Sequence, residues 1–223
     1  MKKLFFLLVK ASEEERQALA DILEAKSSTV ADITKALQWN ASDKVAYHII
    51  NLFSAEGISY KELIKKTLDK HKIQYKLYET EKELEIRLAQ HVMETVWNKM
   101  TDEQKAEMEE QLQKEAARFD KTGETIAGGS IVAAMVAGNV SGFGVYLLAS
   151  TSLGALTGWI GVTLPFAVYT GMSSVISVIL GPVGWASLGL VAIWSVGSPN
   201  YQRLTQAILY ISALRAKIEG GYQ

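Results

Sequence analysis

The chain contains no cysteine, and over the 78 residues from Thr125 to Gln202 it contains no Asp, Glu, Lys, Arg or His. Without cysteine, disulfides and thiolate metal sites are excluded and a reducing compartment is permitted. Charged residues make up 21% of the whole chain, and ordinary surface helices keep a charged outer face. We therefore expect the uncharged stretch to be enclosed either by protein or by lipid.

The sequence lacks the residue patterns of several kinds of functional site. The only histidines are His48, His71 and His91, all in the first half, so no Ser–His–Asp arrangement can be argued. His91 and Glu94 lie one turn apart on a predicted helix, but no second ligand pair accompanies them, so a half-buried histidine is favoured over a metal site. No phosphate-binding loop and no basic stripe typical of nucleic-acid binders is present. We predict a protein that is not an enzyme and has no cofactor, no metal and no nucleic-acid partner.

The first residues imitate a secretory signal but do not complete one. The apolar run from Leu4 to Val9 has six residues, against about 7–15 in a signal peptide, and the charged residues that follow provide no cleavage site. We interpret this run as the apolar lead-in to the first helix. The predicted location is cytoplasmic or inner-membrane-associated, without secretion by a signal peptide.

The first 120 residues contain strong helix-start signals. Four capping boxes are expected at Ser12–Glu15, Ser59–Glu62, Thr80–Glu83 and Thr101–Gln104, because each hydroxyl can accept from an amide of the first turn. They predict helices near 13–25, 60–71, 81–99 and 102–118. Two further helices are predicted near 29–38 and 43–56, the second ending at Gly57.

The composition changes abruptly near residue 120. Residues 1–124 hold 20 of the 23 basic and 23 of the 24 acidic residues, whereas the uncharged stretch 125–202 holds 13 of the 17 glycines and all three prolines. Helical pieces are expected near 126–138, 140–160, 163–180 and 183–197, followed by a last amphipathic helix near 200–218. We predict an all-α protein with a charged helical domain at 1–120, and a Gly-rich hydrophobic bundle or hairpin with a final amphipathic helix at 121–223.

Features of the uncharged stretch favour membrane contact. Val140–Gly161 and Val162–Leu180 have about the length of a bilayer-spanning helix, and two GxxxG spacings permit close approach of helices in lipid. However, the connections at 161–162 and 181–182 carry no charge, which disfavours fixed spans with wet loops. The candidate hairpin residues are Gly138, Gly142, Gly154, Gly158, Trp159, Pro165, Gly181, Pro182, Trp185, Trp194 and Arg203.

Arg203 is the first charged residue after the uncharged stretch. It is predicted to lie one turn into the last helix. One interpretation is a surface arginine, or one that closes the end of the preceding helix. The other is an anchor whose apolar stem stays buried while its head reaches water or lipid phosphate.

Four short motifs, spread over most of the chain, resemble those of the YaaW family of uncharacterised bacterial proteins. They lie at residues 5–19, 57–72, 164–185 and 199–215, and include Phe5-Phe6-Leu7, Gly57-Ile58-Ser59-Tyr60, Gly181-Pro182-Val183-Gly184-Trp185 and Ala213-Leu214-Arg215. The second motif departs from the family's pattern in the spacing of its basic residues at Lys70-His71. Residues 30–120 of the chain are also distantly similar to the ubiquinol–cytochrome c chaperone domain. The resemblance implies an all-helical fold and brings no catalytic residues.

Three functions remain open from the sequence. The first is a membrane-active protein whose hydrophobic hairpin docks on or inserts into the inner membrane, with pore formation as one outcome. The second is a chaperone or assembly factor for membrane proteins. The third is a soluble helical interaction protein whose Gly-rich helices form a buried core. The corresponding partners are a lipid bilayer, a membrane-protein client or further copies of the chain.

Overall fold

A computed structural model describes residues 1–41, 57–119, 130–137, 142–160 and 199–221. Within these ranges the chain forms helices and no strand, which confirms the all-α prediction. We number the helices α1 Lys2–Lys10, α2 Glu13–Leu23, α3 Val30–Ala41, α4 Tyr60–Lys70, α5 Glu81–Trp97, α6 Asp102–Phe119, α7 Ile131–Ala137, α8 Phe143–Ile160 and α9 Pro199–Gly220. The helices predicted near 43–56, 163–180 and 183–197 lie outside the described residues.

The predicted helix starts are confirmed by capping contacts. The Ser12–Glu15 and Thr80–Glu83 pairs form reciprocal capping boxes, and Thr101 and Gln104 exchange the same two hydrogen bonds. Ser59 accepts from the Glu62 amide at 3.2 Å. Each cap satisfies amides of a first turn that have no partner within the helix, and contributes about 1 kcal/mol.

The first apolar run forms a helix of its own. The prediction that it leads into the first helix was wrong, because α1 ends at Lys10 and extended backbone at Ala11 separates it from α2. Leu4, Leu7 and Leu8 are buried, and α1 packs on α3 and α9. These three leucines lie on one face of α1 and form the apolar surface by which α1 packs on the bundle.

The last helix lies at the centre of the bundle. It packs on α1, α2, α3, α4, α5 and α8, and every residue from Leu204 to Ala216 is buried. The prediction of an amphipathic helix with one apolar face is therefore corrected: neighbours surround α9, so its polar side chains are buried too. Buried polar side chains are stabilised by partners inside the protein, and Thr205 and Arg215 have them.

Helix α8 is the second inner helix and packs mainly on α9 and α5. Its residues 145–154 are buried, and the Ser152 hydroxyl donates to the Ala89 carbonyl of α5 at 2.8 Å. Helices α8 and α9 share one hydrophobic core with α1–α5. This part of the uncharged stretch is thus enclosed by protein, and the division into domains at residue 120 stays a prediction.

Candidate functional site

The region of interest is the end of the bundle where the uncharged stretch rejoins α9. Helix α9 runs antiparallel to α2, since Arg203 pairs with Glu24 and Lys217 pairs with Glu15. It also runs antiparallel to α5, because Glu219 pairs with Lys82 and Arg215 with Glu85. The first turns of α9 therefore lie beside the last residues of α2 and α4 and the second half of α5.

Arg203 is held by an ion pair at this end. Its guanidinium donates to the carboxylate of Glu24, the residue that ends α2 in a left-handed conformation. Both side chains are partly exposed, 33% for Arg203 and 65% for Glu24, so the pair contributes little to stability, about 0–1 kcal/mol. The contact fits the interpretation of Arg203 as a surface arginine, since its side chain is partly exposed. The end of the preceding predicted helix lies outside the described residues, and the membrane-anchor role stays a prediction.

Below this ion pair lies a polar cluster that we call the α9 entry cluster, formed by Lys70, His71, His91, Tyr201 and Thr205. The His71 Nε2 lies 2.9 Å from the Thr205 hydroxyl oxygen, and that hydroxyl donates to the Tyr201 carbonyl at 2.8 Å. Because a hydroxyl has a single proton, the His71 Nε2–H is the donor to Thr205. The Lys70 ammonium lies 5.4 Å from the centroid of the Tyr201 ring.

The two histidines of the cluster resist protonation. Burial lowers the pKa of His71 from its ordinary 6.5 to about 4, and the charge of His91 adds to the shift. Burial also lowers the pKa of His91, although Glu94 opposes the shift. The ring centroids are 6.3 Å apart, so two positive charges here would repel one another in poorly hydrated surroundings.

The opposite half of α9 carries a buried ion pair that the sequence did not reveal. Arg215 donates from Nε and Nη2 to the two carboxylate oxygens of Glu85, each at 2.9 Å. Glu85 is fully buried, and burial raises its pKa although Arg215 opposes the shift. The Tyr60 hydroxyl is also buried and faces this carboxylate, without a hydrogen bond of normal geometry. The only sequence signal was a glutamate placed between apolar residues of α5.

The remaining acids of the run from Glu79 to Glu85 have structural partners. Glu79 is buried and accepts from Arg87 and from the Lys76 amide, while Glu83 completes the Thr80 cap. Two members of this run, Glu79 and Glu85, are buried and paired with arginines, so the run is not simply a solvated face. Within the described ranges, no three potential ligands among His, Cys, Asp and Glu come together to hold a metal ion.

The candidate hairpin residues fall into two groups. Gly142, Gly154, Gly158, Trp159 and Arg203 lie in the described part of the chain, whereas Gly138, Pro165, Gly181, Pro182, Trp185 and Trp194 lie outside it. Gly142 has a φ of 52° and precedes α8, so its role there is to permit a turn that other residues adopt at a cost. Gly154 and Gly158 lie on α8, where Gly154 is buried in the bundle.

None of the described helices combines the length and the hydropathy that crossing a membrane requires. The second half of the uncharged stretch, residues 161–198, lies outside the described residues.

Comparison with known proteins gives one relative. No family model matches the chain, and no solved structure matches it. Over 188 residues the chain is 26% identical to a UPF0174 protein of Helicobacter pylori, a match that covers 84% of this chain and 71% of that protein. This weak similarity supports a relation to an uncharacterised bacterial family, and the narrower resemblance to the YaaW family stays a prediction.

Proposed function

We propose that this protein is a non-enzymatic, membrane-associated helical protein that carries residues 161–198 to the bacterial inner membrane. The observation that supports the proposal is that this uncharged segment connects, along the chain, the two inner helices α8 and α9. The segment has no charged residue and includes Pro165, Pro182 and Trp185. In this proposal the charged outer helices keep the body in water while the segment contacts lipid. The assignment to the YaaW family belongs to the same proposal.

Only part of the uncharged stretch needs contact with lipid. Residues 145–154 of α8 are already buried by protein, so they do not need a bilayer to cover them. This observation favours the buried-core interpretation for the first half of the uncharged stretch. Within the uncharged stretch, the membrane role is therefore assigned to 161–198. This segment has 38 residues, more than the roughly 20 that one spanning helix needs.

The absence of cysteine makes a direct test possible. Single cysteines at Ser173, in the segment, and at the exposed Gln113 of α6 would each be labelled with an environment-sensitive fluorophore in the full-length chain. With vesicles of bacterial lipid we expect a blue shift at position 173 and quenching by nitroxide-labelled acyl chains. The label at position 113 serves as the matched control and should not respond.

The alternatives give different results in the same experiment. An unchanged spectrum at position 173, with vesicles of every lipid composition, would refute the membrane role. If the label responds only when a nascent membrane protein is added, the chaperone alternative is supported instead. Release of a trapped dye would extend the proposal from membrane association to pore formation.

A further inference from the structure

Helix α1 presents an exposed face that combines apolar rings with positive charge. Phe5, Phe6 and Val9 are 51%, 65% and 54% exposed, and the lysines of this helix, Lys2, Lys3 and Lys10, are exposed as well. We call these six residues the α1 face. Large apolar side chains that remain exposed next to one another indicate a contact surface more often than isolated ones do.

The α1 face is held in place by the protein rather than by its own helix propensity. Leu4, Leu7 and Leu8 anchor the opposite side of the helix in the core, and α1 packs on α3 and α9. A nine-residue helix is too short to be stable alone in water. The two phenyl rings contact edge to face, with centroids 5.9 Å apart, so the body of the protein presents them as a preformed pair.

The charges around these rings have a single sign. No residue of α1 is acidic, and no carboxylate in the described part of the chain forms an ion pair with Lys2, Lys3 or Lys10. Arg16 adds a further cation near the end of the helix, where its guanidinium donates to the Ala11 carbonyl. The next acids along the chain, Glu13 and Glu14, are exposed and begin α2 beyond the extended backbone at Ala11. The surface that complements such a face is apolar and negatively charged.

We propose that the α1 face docks onto the surface of an anionic phospholipid bilayer. Phe5, Phe6 and Val9 enter the boundary between headgroups and acyl chains, and the lysines meet lipid phosphates, as in helices that lie in the membrane plane. Phenyl rings carry no hydrogen-bonding group. They can therefore be buried in this boundary without the polar partners that a protein pocket would supply. The helix is only about 13 Å long, which suits shallow attachment. The proposal concerns the same membrane as the proposed function but rests on a different surface.

Cosedimentation of the full-length chain with vesicles tests this docking. Vesicles of phosphatidylcholine alone are compared with vesicles that also contain phosphatidylglycerol. We expect Phe5→Ser/Phe6→Ser to lower partitioning by more than about tenfold on the anionic vesicles, because two apolar rings no longer enter the boundary. Lys2→Glu/Lys3→Glu should lower it by about tenfold or more on the anionic vesicles and have little effect on the neutral ones.

Matched controls separate α1 docking from general stickiness and from misfolding. Leu77 and Tyr78, 80% and 76% exposed in the loop before α5, provide an apolar pair of similar exposure, and Leu77→Ser/Tyr78→Ser should leave partitioning unchanged. All four altered α1 side chains are exposed, and acids are favourable at a helix start, so far-ultraviolet circular dichroism should show an intact fold.

Either of two results would overturn the proposal: wild-type protein that ignores anionic vesicles, or α1 variants that partition like the Leu77/Tyr78 control. The label at position 173 reports separately on segment 161–198. If the label at position 173 is not quenched but cosedimentation still depends on the α1 residues, only the proposed function is refuted. If the label is quenched but cosedimentation does not depend on the α1 residues, only this inference is refuted.

Discussion

Removing one partner of the buried Glu85–Arg215 pair should destabilise the protein strongly, and removing both should not. Arg215→Met leaves a carboxylate that is fully buried without its two 2.9 Å donors. Breaking such a pair costs about 3–5 kcal/mol, whereas replacing both partners by apolar residues is often neutral or stabilising. We expect Arg215→Met and Glu85→Leu each to lower the melting temperature by about 6–20 °C. The double variant should lie within about 1 kcal/mol of the wild type.

The pH dependence of the stability of Arg215→Met shows whether its destabilisation comes from the unpaired charge of Glu85 or from lost packing. Burial already raises the pKa of Glu85 in the intact pair, and loss of Arg215 raises it further. The folded variant then binds a proton that the unfolded chain releases above its ordinary carboxyl pKa. Its stability is therefore highest at acid pH and falls as pH rises, by about 1.4 kcal/mol per unit until the folded pKa is reached.

Urea unfolding at pH 5 and pH 8, followed by circular dichroism, measures both effects. The exposed pair Lys82–Glu219 joins the same two helices, with side chains 47% and 50% exposed. Its double replacement by Met and Leu is the control, and each single change there should cost less than about 1 kcal/mol. Additive losses at Glu85 and Arg215, or a loss in Arg215→Met that is equal at both pH values, would show that the buried charges are not coupled as described.

Three further predictions concern single residues. The pKa of His71 lies at about 4 in the folded protein, against 6.5 ordinarily, so its contribution of up to about 3 kcal/mol is present above pH 6.5 and lost as pH falls towards 4. Chemical denaturation across this range should show a weaker pH dependence in His71→Gln than in wild type. Gly57→Ala should cost about 1–2 kcal/mol in urea unfolding, because φ is 60° and the new methyl meets the Gln38 side chain. Thr80→Ala should cost about 1 kcal/mol by the same assay, and Thr80→Ser should restore most of it. An unchanged midpoint in either alanine variant would contradict the local geometry.

The parts of the fold that depend on residues close together in the sequence were predictable. The starts of α2, α4, α5 and α6 follow from hydroxyl caps whose partners lie three residues away. The capping signal is local, so it does not depend on packing. The separate helix α1 was missed, because its apolar run is only six residues long and a helix this short is held by its packing on α3 and α9.

The candidate site was only partly accessible from sequence. Arg203 stood out as the first charge after the uncharged stretch, but its partner Glu24 lies 179 positions away. Likewise His71 and Thr205 are 134 positions apart, and nothing in local spacing connects them. In the sequence Glu85 is one of several closely spaced acids, and only the tertiary fold buries it against Arg215, 130 positions away.

The sequence by itself determined that the protein is helical and where most helices begin. It also determined that the stretch 125–202 has no charged side chains with which to form a hydrated surface. These are properties of caps, periodicity and composition, which act over a few residues or over a whole segment. Only the tertiary structure decided which part of that stretch becomes core. It placed α8, which belongs to that stretch, and α9, most of which follows it, inside the bundle, where residues 145–154 and 204–216 are buried. Burial depends on what packs against a helix as much as on the helix itself.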